Sequence, residues 1–194
     1  MFEKIVKYLK ENLDEEKFRH SLGARDMAIK LADRFHVDKE KAALAALLHD
    51  CAKGFSYDKL LEIVKENNLD IPKEELECMK VLHAPVGAFV AQKEFGIEDG
   101  DILNAIKNHT MGRINMSDLE KVVFLSDKTE INTREKSLTD GINAELDKNN
   151  SMDDAVFYCI KMTIKSLIDR NLPVNCATIE IYNAGLKEAR QLGS

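Results

Sequence analysis

The sequence predicts an all-α fold, a single helical domain of about ten helices over residues 1–194. Three observations predict it. The chain holds only nine glycines and three prolines, about half their usual combined share, so it lacks the turn residues that a sandwich or barrel of short strands needs. Apolar residues recur at every third and fourth position, which places them on one stripe of a helix. Capping residues stand at the head of most periodic stretches, and glycine or proline follows several of them.

The elements follow in order. Phe2 to Asn12 forms a first helix, and Asp14 to Phe35 a second, with Phe18, Leu22, Ala28, Leu31 and Phe35 on its buried side. Asp38 is a good N-cap for a third helix running to Lys53, where Gly54 stops it. Ser56 to Asn67 is a fourth, and a short helix follows Pro72, a residue suited to a first turn. Pro85 likewise opens a helix to Phe95, ended by Gly96, and Asp99 caps the next to Asn108. Ser117 and Glu120 have capping-box spacing and start a helix to Ile131. Asn132 to Asn150 is a weaker stretch. Ser151 and Asp154 start a long helix to Asn171, Pro173 breaks it, and Asn175 caps the last helix to Gln191. No repeat and no domain boundary interrupts this order.

Composition bounds the function. The chain has 34 acidic and 28 basic residues, a net charge of −6, which argues against broad binding to nucleic acid or an anionic membrane. The longest wholly apolar run, Ala42 to Leu48, is far short of the ~20 residues of a membrane span. Cys51, Cys78, Cys159 and Cys176 form no CxxC pair and read as reduced thiols. The start, Met1-Phe2-Glu3-Lys4, mixes charge with apolar residues and is unlike a signal peptide. A cytoplasmic protein is expected. Apolar positions near the first helix leave room for a homodimer.

Ionisable residues occupy helix faces that should be apolar. His20 lines up with Ala24, Met27 and Leu31. His49 and Asp50 follow the aliphatic run Ala45-Ala46-Leu47-Leu48. His109 lines up with Ile102, Ala105 and Ile106, and Asp127 with Leu119, Val123 and Phe124. His83 precedes Pro85. A buried carboxylate costs several kcal/mol unless it is paired or binds a metal. One such residue has an ordinary structural explanation, but four of the five histidines plus two aspartates call for a shared one. His36, at a helix end among charges, reads as solvated. Imidazole and carboxylate together suit iron, manganese, zinc or cobalt. Six donors are too many for a closed tetrahedral zinc site and about right for two metals bridged by one carboxylate, as in many phosphoryl hydrolases.

The order His, His-Asp, His, His, Asp resembles the HD-domain phosphohydrolases. Four strings are closer still to one branch: Arg19-His20-Ser21-Leu22-Gly23; the run into His49-Asp50-Cys51-Ala52-Lys53; His83-Ala84-Pro85-Val86-Gly87-Ala88; and His109-Thr110-Met111-Gly112-Arg113. They resemble the bacterial YqeK proteins, which split diadenosine tetraphosphate symmetrically into two ADP. The similarity runs from about residue 1 to 185.

The resemblance implies a metal-dependent hydrolase with one or two divalent ions, iron before manganese, cobalt or magnesium. His20, His49, Asp50 and Asp127 would hold the first ion. Asp50 would bridge to a second site at His83 and His109, which would instead contact substrate phosphate if only one ion is held. Lys53, three residues after Asp50, either complements a helix dipole or joins Asp50 in catalysis and grips phosphate. Thr110, Gly112 and Arg113 would line the substrate site, glycine allowing close approach and arginine offering a fork to phosphate. Gly23 serves either close helix packing or the substrate. The core would span about residues 14–131, with helices 151–191 completing the nucleotide pocket; Asn171 to Thr178, Tyr182 and Asn183 are candidates for its wall.

The chain departs from the branch pattern Asp-x-x-Glu-Pro-x-Arg after Asp127. Glu130 fits, but Ile131 replaces the proline, Thr133 stands where arginine is expected, and Arg134 comes one residue late. A local shift would restore a phosphate contact from Arg134; otherwise one is lost. Two other readings compete: an HD-type (deoxy)nucleotide phosphatase and a non-catalytic nucleotide-binding module.

Overall fold

Local capping sets most helix starts in this computed structural model, which describes residues 1–134 and 136–192. Among the described residues there are eleven helices and no strand. They are α1 (Phe2–Asn12), α2 (Glu15–Phe35), α3 (Lys39–Leu48), α4 (Tyr57–Glu66), α5 (Lys73–Leu76), α6 (Met79–Phe95), α7 (Gly100–Asn108), α8 (Asp118–Thr129), α9 (Lys136–Asn149), α10 (Met152–Asp169) and α11 (Cys176–Leu192). The side chains of Asp14, Asp38, Ser56, Asp99 and Ser151 each accept a hydrogen bond from the first turn of the helix they head. Ser117 and Glu120 complete a reciprocal capping box. His36 is exposed and left-handed at the end of α2 (φ 58°), in keeping with a solvated residue.

Four boundaries differ from the sequence reading. The third helix ends at Leu48 rather than Lys53; beyond it, the N–H groups of Cys51, Lys53 and Phe55 bond three residues back, at 3.0, 2.9 and 3.1 Å, so the ladder tightens into successive turns. Gly54 closes them against the Asn12 carbonyl, where a Cβ would not fit. Helix α6 begins at Met79, so Pro85 lies inside it and His83 belongs to the helix. A proline within the second turn removes only one ladder donor, opposite residue 81, and the apolar run around it keeps the helix packed. Helix α8 stops at Thr129 because Glu130 turns extended (ψ 143°). The weak stretch after Asn132 does form a helix, α9, anchored by buried Ile142 and Leu146, four residues apart.

Helix α2 packs on α3 and α8, and α7 packs on α3, α6 and α8. Phe124, Leu47, Leu48 and Ile106 are fully buried among them. Helix α10 lies on α8 and carries α9 and α11. Cys51, Cys78, Cys159 and Cys176 are free thiols. No helix of the described residues is long and apolar enough to cross a membrane.

Candidate metal centre

Five helical segments bring the six predicted residues to one buried point. His20 comes from α2, His49 and Asp50 from the turn after α3, His83 from α6, His109 from the end of α7, and Asp127 from α8. All six are at most 6% exposed. Asp50 divides the group in two. Its Oδ2 lies 3.3 Å from His49 Nε2 and 3.7 Å from His20 Nε2, and those rings share Asp127 Oδ1 at 3.6 and 2.9 Å. Its Oδ1 lies 3.1 Å from His83 Nε2 and 3.4 Å from His109 Nε2.

The hydrogen bonds fix how the rings of this centre are turned. His49 Nδ1 donates to the Ala46 carbonyl at 2.6 Å, and His109 Nδ1 to the Ile106 carbonyl at 2.7 Å. A carbonyl only accepts, so a neutral ring at either position carries its proton on Nδ1 and aims an Nε2 lone pair at the centre. Burial pushes the Asp50 and Asp127 carboxyls up, but His49, His109 and His83 hold Asp50, and Lys128, His20, His49 and Arg134 hold Asp127, well below the usual carboxylate range. Burial likewise opposes charge on His49, yet Asp50 and Asp127 raise it to about 9. His109, governed by burial, falls to about 4. Asp50 Oδ1 is buried with no hydrogen-bond partner. An orphaned carboxylate oxygen among imidazole lone pairs fits a divalent cation, and three overlapping groups drawn from His20, His49, Asp50, His83, His109 and Asp127 have metal-binding spacing.

The other predicted residues divide. Lys53 Nζ donates to Asp50 Oδ2 at 2.7 Å. Arg134 also arrives: its Nε donates to the Asp127 carbonyl at 2.6 Å, and its Nη2 pairs with Asp127 Oδ1 and stands 3.2 Å from His20 Nε2. The one-residue shift after Ile131 therefore still delivers an arginine. Together with His20, Asp50, Thr133 and Lys17 these two cations line a cavity of about 230 Å³. Thr110 Oγ1 lies 3.1 Å from His109 Nε2. Gly112 makes a turn with φ 75°. Arg113 faces elsewhere: its Nε and Nη2 donate to Glu120 at 2.7 and 2.6 Å, and its Nη1 to the Ile114 carbonyl. Its fork braces the loop after α7 instead of reaching the histidines. Gly23 packs beneath Glu130 and Asn132, where a Cβ would collide with both side chains.

The HD domain family model matches residues 18–132, a stretch that contains all six clustered residues. The chain belongs to the HD domain family. "Bis(5'-nucleosyl)-tetraphosphatase, symmetrical" from Halalkalibacterium halodurans is 35% identical over 96% of this chain and 98% of the relative. A protein of the same name from Bacillus subtilis is 37% identical over 93% and 95%. The crystal structure of a predicted HD superfamily hydrolase involved in NAD metabolism from Clostridium acetobutylicum superposes with a TM-score of 0.90, at 36% identity, over 97% of this chain and 98% of that one.

One contributor to this HD domain centre was not singled out in the sequence. Lys128 Nζ reaches Asp127 Oδ2 at 3.0 Å and the His109 carbonyl at 3.1 Å, above the Phe124 ring. Its only sequence signal is a lysine within an otherwise buried helix. Glu120 is 1% exposed and accepts from Asn108, Arg113 and the Ser117 N–H. Burial pushes its carboxyl up, and these donors bring it below its ordinary value. The stability it adds is therefore present above an unfolded pKa of about 4.3 and lost as pH falls through the folded value. Glu120→Gln is expected to cost about 2 kcal/mol at neutral pH, Arg113 being partly screened by solvent. That lowers the thermal midpoint by roughly 4–8 °C. The gap to wild type closes on acidification; a gap that stays constant with pH refutes this account.

Proposed function

We propose that this chain is a divalent-metal-dependent hydrolase that splits dinucleoside tetraphosphates symmetrically into two nucleoside diphosphates, ADP from diadenosine tetraphosphate. One observation carries the chemistry: the Asp50 carboxylate presents one oxygen to His20 and His49 and the other to His83 and His109. The names of the Halalkalibacterium and Bacillus relatives supply the substrate class.

In this reading His20, His49, Asp50 and Asp127 would hold one ion, and Asp50 with His83 and His109 would hold the second. Iron is the metal to test before manganese, cobalt and magnesium. Bound there, divalent ions polarise phosphoryl oxygens and make water a better nucleophile at neutral pH. The chain's own contribution is charge and position. Lys53, with its side chain 34% exposed at the edge of the buried Asp50, faces both the centre and the cavity, so its ammonium can offset charge that builds on a phosphoryl group. Arg134 does the same from the Asp127 side, and Thr110 offers a hydroxyl beside His109. Thr110, Gly112 and Arg113 line a second cavity of about 270 Å³ with Ala177 and Ile181 of α11. Ile181 also lines a neighbouring cavity of about 450 Å³ with Phe157 and Gly185, and Phe157 stacks on Tyr182 at 5.5 Å. These cavities support α10 and α11 as the part that completes the nucleotide pocket.

The test is product identity. Purified chain is loaded with each metal in turn, given diadenosine tetraphosphate, and the nucleotides are separated by chromatography beside elemental analysis of the same sample. ADP as sole product supports the reading. AMP with ATP, or no turnover with any divalent metal, refutes it. Lys53→Met is expected to lower kcat/KM by about 10²-fold, the order lost with one charge-stabilising donor. Steady-state kinetics at saturating metal checks this, and unchanged kinetics would remove Lys53 from the reaction.

A further inference from the structure

We infer that Glu130 is the positioning residue of the centre: it accepts a hydrogen bond from the His20 Nδ1–H, fixing that ring with Nε2 toward the metal, and Gly23 and Thr133 hold its carboxylate in place. The inference rests on the metal-centre reading above and concerns residues outside the ligand set.

Glu130 is completely buried. Its Oε1 lies 3.1 Å from His20 Nδ1 and accepts from the Thr133 N–H at 2.8 Å and from the Thr133 hydroxyl. Its Oε2 accepts from the Asn132 N–H at 2.7 Å. The carboxylate is thus locked by its own following turn. An ionised carboxylate only accepts hydrogen bonds. The Thr133 hydroxyl, whose proton goes to Glu130, also lies 3.1 Å from His20 Nδ1 as an acceptor. Both neighbours of Nδ1 therefore demand a proton on that nitrogen, which puts the ring's lone pair on Nε2. Nε2 is the atom that faces Asp127, Asp50 and His49, with Arg134 Nη2 3.2 Å away.

His49 and His109 solve the same problem with backbone carbonyls. His20 has a carboxylate instead, which orients the ring more strongly. This arrangement needs room. A Cβ on Gly23, one turn after His20, would stand closer to Glu130 Oε2 and Asn132 Nδ2 than real Cβ atoms come. Glycine inside α2 is thereby explained, despite its cost to a helix of about 1 kcal/mol. Thr133 gains a role as well: in place of an arginine it donates a hydroxyl to Glu130, while Arg134 supplies the cation.

The test is cobalt(II) affinity of the metal-free chain, by competition with a chelating dye, together with the visible spectrum of bound cobalt. Glu130→Ala is expected to weaken binding about 10–100-fold, the usual range for a residue that orients a ligand, and to alter the cobalt bands. Glu130→Gln, which keeps an acceptor, recovers most of the affinity. Gly23→Ala leaves the carboxylate in the chain but displaces it. It is expected to reproduce the weakened binding, and it decides the matter if Glu130→Ala does not fold. Circular dichroism of the metal-free variants shows that the helices persist. Wild-type cobalt affinity and spectrum in Glu130→Ala, or in Gly23→Ala where that variant decides, overturn the inference alone. A wild-type chain that binds no cobalt overturns it together with the metal-centre reading.

Discussion

Asp50→Asn is expected to give a folded chain that keeps no divalent metal and loses activity by on the order of 10³-fold or more. Loss of metal removes several kcal/mol of charge stabilisation from the transition state, and each 1.36 kcal/mol is about tenfold in rate. Asp50 faces both halves of the centre with its own carboxylate: Oδ2 serves His20 and His49, and Oδ1 serves His83 and His109. Asparagine keeps the shape but replaces one oxygen with an NH₂ donor. That donor turns toward imidazole lone pairs and satisfies them without a cation, so the site changes from a cation trap into an ordinary polar core. Removing one of two buried negative charges also relieves the repulsion between Asp50 and Asp127 in the metal-free state, so the variant's fold is not endangered. Elemental analysis and turnover of diadenosine tetraphosphate check both halves of the prediction. Full metal content with full activity would remove Asp50 from the centre.

The sequence made the centre legible for the same reason that it is chemically unusual. Helical periodicity assigns each residue a face, and ionisable residues on an apolar face stand out against that background. His20 among Ala24 and Leu31, and Asp127 among Val123 and Phe124, are read this way and do converge. Helix starts were legible because an N-cap acts over two or three residues, within reach of local inspection.

Periodicity does not tell where a long flexible side chain ends. Arg113 sits beside a string that suggested phosphate, but Glu120, seven residues on, draws its fork inward. Arg134 was out of register by one residue, yet the extended Glu130 re-aims the chain and its guanidinium arrives at Asp127. Lys128, adjacent to Asp127, carried no pattern because the His109 carbonyl it reaches is brought to it only by the packing of α7 on α8. Pro85 misled for a related reason. Proline opens a helix by default, and only the surrounding apolar packing shows that α6 continues back to Met79.

Stripping bound metal with a strong chelator is expected to lower the thermal midpoint by roughly 8–16 °C. An ion present at about a thousand times its dissociation constant adds about 4 kcal/mol to the folded state, and about 1 kcal/mol moves the midpoint of a chain this size by 2–4 °C. The ligands explain why the unfolded chain does not compete: they come from five segments, from residue 20 to residue 127, and meet only when α2, α3, α6, α7 and α8 are packed. The sign with pH follows from proton competition. Imidazoles must give up a proton to bind, and in the metal-free chain Asp50 and Asp127 hold the His49 proton up to about 9. The gap between loaded and stripped midpoints should therefore narrow as pH falls from about 9 through neutrality. Asp50→Asn is the control, since it should show no gap at any pH. Differential scanning calorimetry with and without chelator measures all of this. A wild-type midpoint indifferent to chelator would mean that the buried charges are balanced from within, with a protonated His49, Lys128 and Arg134 facing Asp50 and Asp127. The cluster would then be a structural ion network, in which Asp50 Oδ1 is the one buried side-chain acceptor among the described residues without a hydrogen-bond partner. That orphaned oxygen weighs the comparison toward the metal, because a self-balanced network has no reason to bury an acceptor it cannot satisfy.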